Sequence, residues 1–375
     1  NFTTLYHLIF VVKIKNNMKV LILGSGLTAL TLAKALVNQK IFVDLFSSNK
    51  SHKINRSRTI GISKSNFDYF NRNITNIEKI SWKLKKIEIY TDKNKNEKIL
   101  NFENNNNQLF SIIKNHQLLE VLNKNLFKNK YFKKIKSKEK VIKKEKYNLI
   151  VNTEYNNVFT KKYFNKKIEK IYDSFAYTTV INHEKISNQI AVQIFTKIGP
   201  LAFLPLSKNK TSIVYSIYST KNIDRKKIIH FINQYNIKYK IKKISKIENF
   251  ELKSFNLRSY YHNNILAFGD LLHRIHPLAG QGFNMTIRDI NLFINIIKNK
   301  IDLGLPLDSS VNYEFEKKFK HKNYIFSNSV DLVQEFFNFE RKFNNNIFSK
   351  SVKILGKNRF IKKLFTQVAD KGINF

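Results

Sequence analysis

Glycine and proline are scarce in this chain, and their placement marks where chemistry could be done. There are ten glycines and four prolines. Gly24, Gly26, Gly61, Gly199, Gly269, Gly280 and Gly282, with Pro200, Pro205 and Pro277, fall in four short segments. Glycine is needed where the backbone takes positive φ or must approach another group closely. The first segment is Gly24-Ser25-Gly26-Leu27-Thr28-Ala29, directly after the apolar run Lys19–Leu23 and opening a stretch with helical spacing. This is a G-x-G-x-x-A turn. Its first glycine makes the bend, the second lets the backbone approach a pyrophosphate, and the small third residue lets helix and strand pack closely. The helix N-terminus adds free N–H groups and partial positive charge for phosphate oxygens. An acid about 20 residues on ordinarily takes the adenosine ribose of a dinucleotide. Here the second strand ends Leu45-Phe46-Ser47-Ser48, so Ser47 stands in that place and can still hydrogen-bond a ribose, with Asp44 as the substitute acid three residues early.

The second segment runs Gly269-Asp270-Leu271-Leu272-His273-Arg274-Ile275-His276-Pro277-Leu278-Ala279-Gly280-Gln281-Gly282-Phe283-Asn284 and leads into a helix through Asp289. It resembles the second FAD fingerprint of the aromatic-ring hydroxylases, the p-hydroxybenzoate hydroxylase class. The resemblance is closest to the 2-polyprenylphenol hydroxylases of ubiquinone biosynthesis, whose pattern is G-D-A-A-H-x-x-x-P-x-x-G-Q-G-x-N. Two further stretches match that narrower group, Gly199-Pro200-Leu201-Ala202-Phe203-Leu204-Pro205-Leu206 and Arg58-Thr59-Ile60-Gly61-Ile62-Ser63. Order and spacing hold from Lys19 to the C-terminal helices.

The resemblance implies an α/β chain, α+β overall. A Rossmann-like FAD-binding domain would be assembled from 18–70, 110–172 and 257–300. A mixed or antiparallel β-sheet substrate domain from 71–109 and 173–256 would be inserted in it, and a helical region over 301–375 would follow. It implies noncovalent FAD held by Gly24 to Ala29, Ser47, Arg58, Asp270, Pro277 and Gly280, Gln281, Gly282, Phe283 and Asn284. Asp270 at a strand end can accept from ribityl hydroxyls, and the N–H groups of Gly280 to Gly282 face the flavin N1–C2 carbonyl. The activity implied is hydroxylation of a polyprenylphenol ring, with NAD(P)H reducing FAD and O2 adding at flavin C4a. In that chemistry the flavin carries the reaction, so no side chain is assigned as acid or base; Pro277 and His273 are the nearest candidates. The alternatives are a flavin hydroxylase for another aromatic substrate and a noncatalytic flavin-fold scaffold of a quinone-biosynthesis complex. The scaffold reading rests on one departure. Where the family carries G-A-D-G-x-x-S-x-x-R, this chain has Asn152-Thr153-Glu154-Tyr155-Asn156-Asn157-Val158-Phe159-Thr160-Lys161. Its glycines are gone, Glu154 stands for the acid and Lys161 for the arginine, so nicotinamide handling does not carry over at these positions.

The positioning elements follow from periodicity. Lys19–Leu23 and Ile41–Phe46 read as strands about a helix at Leu27–Asn38, 110–127 as a helix, and 147–151 as another strand. Four β-rich stretches at 175–181, 191–196, 201–206 and 212–218 read as an antiparallel sheet. Ile265–Gly269 reads as a strand ending in glycine, with helices beyond. The chain has 375 residues, 42% hydrophobic and 13% aromatic, enough for two packed domains and against disorder. No apolar run is long enough to span a bilayer. With no cysteine there are no disulfides, thiolate metal sites or cysteine nucleophile, which fits a cytoplasmic protein. No metal is expected: His273 and His276 have no carboxylate at ligand spacing. The formal net charge is +40, but only nine of the 67 basic residues are arginine and the lysines are spread evenly. That pattern reads as compositional drift toward Lys, Asn and Ile and against nucleic-acid binding. Met18 is expected as the natural start, with 1–17 an upstream extension. A C-terminal amphipathic stretch, 352–368, is expected either to pack on the flavin domain or to lie on the inner face of the cytoplasmic membrane, near other ubiquinone-biosynthesis proteins.

Overall fold

A computed structural model describes residues 18–47, 56–92, 98–103, 108–135, 146–276, 280–342 and 358–372. The segment 1–17, the Asn104–Asn107 loop and Pro277 lie outside the described residues. The apolar run Lys19–Leu23 forms a central strand of a six-stranded sheet, in the order Tyr261–His262, Ile265–Ala267, Leu149–Asn152, Lys19–Leu23, Phe42–Phe46, Phe132–Ile135. Every neighbour pairs in parallel except the Tyr261–His262 edge. Parallel strands covered on both faces need continuous apolar runs rather than alternation, and Val20, Leu21 and Ile22 are all fully buried. The Leu27–Asn38 and Gln281–Asp302 helices join the same core through Leu30, Leu36, Ile290 and Phe293. From Lys19–Leu23 the chain passes first to Phe42–Phe46 on one side and later to Leu149–Asn152 on the other. Open α/β sheets bind ligands beyond the strands' carboxyl ends at such a reversal.

The second large sheet has nine strands. Its main path runs His273–Arg274, Glu248–Leu257, Lys167–His183, Lys210–Tyr218, Gly199–Ser207, Ile190–Thr196, Lys86–Thr91, Lys98–Glu103, and Ile241–Ile244 adds to Lys167–His183. It is antiparallel apart from the pairing of Ile190–Thr196 with Lys86–Thr91. Ile181, Phe203, Ile213 and Tyr215 pack there with Ile228 and Ile232 of the Arg225–Tyr235 helix in a separate core. A three-stranded sheet, Thr59–Ser63, Phe110–Lys114 and Ser81–Leu84, lies beside both. The Ser57 and Thr178 hydroxyls, 3.2 Å apart, tie its approach to the large sheet, as do those of Thr59 and Ser212 at 2.9 Å.

Two expectations about elements change. Residues 110–114 are a strand and only Asn115–Phe127 is helical. Phe110, Ile112 and Ile113 are buried with Ser111, and two adjacent β-branched residues suit a pleated ladder better than a helical turn. The strand from 265 stops at Ala267, and Gly269, at φ +65°, turns the chain into a short 3-10 segment, Gly269–Leu271. Among its described residues the C-terminal region holds the helices Ser309–Lys342 and Arg359–Lys371.

Candidate dinucleotide site at the sheet's carboxyl edge

The parallel register aligns four strand ends on one edge. Leu23 is level with Phe46 and with Asn152, and Asn152 is level with Ala267. Gly24, Ser47, Thr153 and Phe268 therefore leave the sheet side by side, with Gly269 directly after Phe268. Gly24 is at φ +131°, its N–H donates to the Phe46 carbonyl at 2.7 Å, and a Cβ there would collide with Thr153 Oγ1. That hydroxyl is itself bonded to the Leu23 carbonyl at 2.8 Å, so it cannot move aside cheaply. Gly269 likewise packs its bare Cα against Thr28. The two glycine segments, more than two hundred residues apart in sequence, thus touch through one threonine.

Gly26 is different. It is the N-cap of the Leu27–Asn38 helix in ordinary extended geometry, φ −76°, and a Cβ added there meets no atom within 4 Å. Among the described residues nothing requires glycine at this position. Open space over an uncapped helix N-terminus fits a phosphate group that must come close to the backbone. Gly280, at φ +64°, is the N-cap of Gln281–Asp302, also without a side-chain cap, and it lies 3.6 Å from the backbone of Gly61 when extended by a Cβ. Asn284 fastens this turn: its Oδ1 accepts from Ser63 N at 3.0 Å, and its Nδ2 donates to the carbonyls of Gly61 at 3.0 Å and Gly280 at 3.2 Å. Gln281 is buried and its Oε1 has no partner among the described residues. Phe283 packs partly buried against the main core.

The remaining sequence candidates divide. Ser47 sits on the edge, accepting from Ser25 Oγ at 3.2 Å and donating to Glu154 Oε1 at 3.0 Å. Asp44 does not substitute for the missing acid: it is buried within the strand, paired with Lys19 at 2.7 Å and bonded by Tyr147 Oη at 2.8 Å. Arg58 is exposed and its guanidinium stands 5.9 Å from the Phe250 ring of the large sheet. Asp270 is exposed at the edge, and its backbone carbonyl accepts from Tyr155 Oη. His273 is committed to a buried pair, 2.5 Å from Asp289, whose other oxygen accepts from Asn323 at 3.1 Å. His276 is buried with no partner on either ring nitrogen among the described residues; burial lowers its pKa to about 3, Lys170 adding to the effect.

The stretch that lost its glycines keeps a defined turn by other means. Asn152 Oδ1 accepts from Glu154 N at 3.1 Å and from Asn157 Nδ2 at 2.6 Å, and Asn152 Nδ2 donates to Thr160 Oγ1 at 2.8 Å. Asn157 then caps the Val158–Tyr163 helix by accepting from Thr160 N at 2.8 Å. Asparagine side chains bonding nearby backbone are an ordinary route to a tight turn without glycine. Sequence reasoning noted Glu154 only as a departure. Its signal was there, an acid directly after a parallel strand, but its neighbour Ser47 is 107 residues away in the chain.

Solved structures place this architecture. p-Nitrophenol 4-monooxygenase from Pseudomonas putida superposes with a TM-score of 0.74 over 94% of this chain and 99% of its own, at 11% identity. The probable FAD-dependent monooxygenase pqsL from Pseudomonas aeruginosa does so at 0.66 over 87% and 97%, at 12% identity. This is the fold of the FAD-dependent monooxygenases. Residues 207–299 match the FAD binding domain family, a span that includes Asp270 and the Gly280–Asn284 turn. In sequence, the chain resembles the ubiquinone hydroxylases of this class. It is 28% identical over 166 residues to the 3-demethoxyubiquinol 3-hydroxylase of Escherichia coli, covering 41% of this chain and 40% of that one. It is 23% identical over 213 residues to the ubiquinone biosynthesis monooxygenase COQ6 of Caenorhabditis elegans, covering 44% and 47%. The chain thus spans under half the length of these curated relatives.

Proposed function

We propose that this chain binds FAD noncovalently across the carboxyl edge of the parallel sheet and hydroxylates the aromatic ring of a polyprenylated phenol in ubiquinone biosynthesis. The observation that carries the cofactor reading is Gly26, where no described residue lies within 4 Å of an added Cβ, on the same turn as Thr28, which packs against Gly269. The substrate reading rests on the resemblance to ubiquinone hydroxylases.

Within this reading the Gly24–Ala29 turn receives the pyrophosphate, with the N–H groups of the Leu27–Asn38 helix as donors. Asp270 accepts from ribityl hydroxyls. The N–H groups after Gly280 face the isoalloxazine and favour negative charge there, an effect of about 1 kcal/mol or more where partly buried. Bound FAD would supply the redox chemistry, taking electrons from NAD(P)H and delivering one atom of O2 to the ring. The protein holds the ring in register and keeps water away. His273, held by Asp289, fixes the strand that carries the second segment rather than moving a proton.

The test is a titration of the purified chain with FAD, followed by NAD(P)H oxidation with and without a prenylphenol. Bound flavin absorbance and oxidation stimulated by the phenol are expected. Flavin binding without any oxidation would favour the scaffold reading, and no flavin binding would overturn the proposal.

A further inference from the structure

Dinucleotide sites of this kind place an acid at the end of the second strand to receive the adenosine ribose, and this chain has Ser47 there. A serine hydroxyl has one proton and accepts weakly compared with a carboxylate. In this structure the Ser47 proton is directed to Glu154 Oε1 at 3.0 Å, and Ser47 accepts from Ser25 Oγ at 3.2 Å. The three residues form a directed chain, Ser25 to Ser47 to Glu154, that starts in the first glycine turn and ends on a carboxylate. Glu154 reaches this place because Leu149–Asn152 pairs in parallel with Lys19–Leu23, so the residues after both strands emerge together. The Asn152–Asn157–Thr160 network sets the turn: Asn152 Oδ1 accepts from Glu154 N at 3.1 Å, and Thr160 Oγ1 donates to the Glu154 carbonyl at 2.5 Å.

We propose that Glu154, presented from the loop after the Leu149–Asn152 strand, is the carboxylate that receives the adenosine ribose hydroxyls of the bound dinucleotide, with Ser47 as its positioning residue. The acid has moved from the second strand to the neighbour on the other side of the first. An ionised carboxylate is an acceptor-only group with about four lone-pair sites, against two on a serine hydroxyl. Ribose hydroxyls are donors that need such an acceptor, and hydrogen bonds to an ionised acceptor are about twice as strong as neutral ones. The inference rests on the FAD reading above and adds the group that recognises the ribose.

The test compares FAD with its 2′,3′-dideoxyadenosine analogue, titrated into the flavin-free chain and followed by flavin fluorescence. The unmodified chain is expected to bind FAD at least tenfold more tightly than the analogue. Glu154→Gln, nearly isosteric, should lose that preference by weakening FAD about tenfold while leaving the analogue unchanged. Ser47→Glu placed in the Glu154→Gln background restores an acid at the usual strand end and should recover the preference, which also shows that the variant chain folds. Equal weakening of both ligands, or of neither, in Glu154→Gln would overturn the assignment. Failure of the unmodified chain to bind FAD would overturn the cofactor reading and this inference together, whereas FAD binding with no preference over the analogue would sink this inference alone.

Discussion

At Gly24 and Gly26, two residues apart, glycine is present for opposite reasons. Gly24 is at positive φ with Thr153 against its Cα, so Gly24→Ala should destabilise the flavin-free chain by about 2 kcal/mol or more. Gly26 has ordinary backbone angles and no described residue within 4 Å of an added Cβ, so Gly26→Val should change flavin-free stability by only about 1 kcal/mol while removing flavin binding. Denaturant midpoints and flavin titrations on the two variants separate the cases. Comparable stability losses would mean that the space at Gly26 is not a ligand's. His276 gives a second prediction. Its pKa falls from 6.5 to about 3 because burial excludes the charged form. Between those values the unfolded chain binds the extra proton, so stability falls as pH drops below about 6.5 and the loss is complete near 3. The slope from this residue approaches about 1.4 kcal/mol per pH unit. His276→Phe should remove that part of the slope, read as the difference in denaturant midpoint between wild type and variant from pH 7 to 4.

The element whose role changes most on folding is the C-terminal helix. Its amphipathic sequence suits a membrane surface and a protein surface equally, and the contacts near its end are with protein. Asp370 Oδ1 accepts from Ser65 N at 2.8 Å, and the Asp370 carbonyl accepts from the hydroxyls of Ser63 and Ser65, both at 2.9 Å. The Lys64–Asn73 helix has no side-chain cap of its own. A carboxylate at the C-terminus of its own helix is unfavourable, but here it sits at the N-terminus of another, where it satisfies an orphan N–H and the dipole. Val368 packs with Ile275, Met285 and Phe326 just beyond. Asp370→Ala should therefore cost about 1 to 2 kcal/mol in the denaturant midpoint, as loss of an N-cap does. An unchanged midpoint would leave the helix free for another surface. The arrangement was not legible beforehand, because the capped N–H and its acceptor are 305 residues apart.

For the whole molecule, the charge of +40 is the largest electrostatic fact. Among the described residues no helix is long and apolar enough to cross a membrane. A polyprenylated substrate would nevertheless be met at a lipid surface, and an evenly spread positive charge attracts anionic headgroups at about 1 kcal/mol per basic residue that comes near them. Sedimentation with anionic vesicles should therefore decline steeply as salt is raised and be absent with neutral vesicles. Retention on neutral vesicles at high salt would point to apolar anchoring instead.

What the sequence determined by itself was the set of pieces with a local signature. The Gly24–Ala29 turn between strand and helix, the Gly280–Asn284 turn before a helix and the apolar runs of a parallel sheet are all written in spacing and residue type, because backbone geometry and burial on both faces dictate them within a dozen residues. Residues 110–114 escaped because five residues, Phe-Ser-Ile-Ile-Lys, directly ahead of a helix are too few to show a periodicity of their own. Its strand state comes from pairing with Thr59–Ser63 and Ser81–Leu84. Asp44 looked like a spare acid until Lys19 and Tyr147 closed on it. Only the tertiary structure could set Thr28 against Gly269, carry Asp370 to Ser65, or bring Glu154 beside Ser47. Those contacts depend on which strands become neighbours, and strand order is decided by the packing of the whole sheet, not by any segment that enters it.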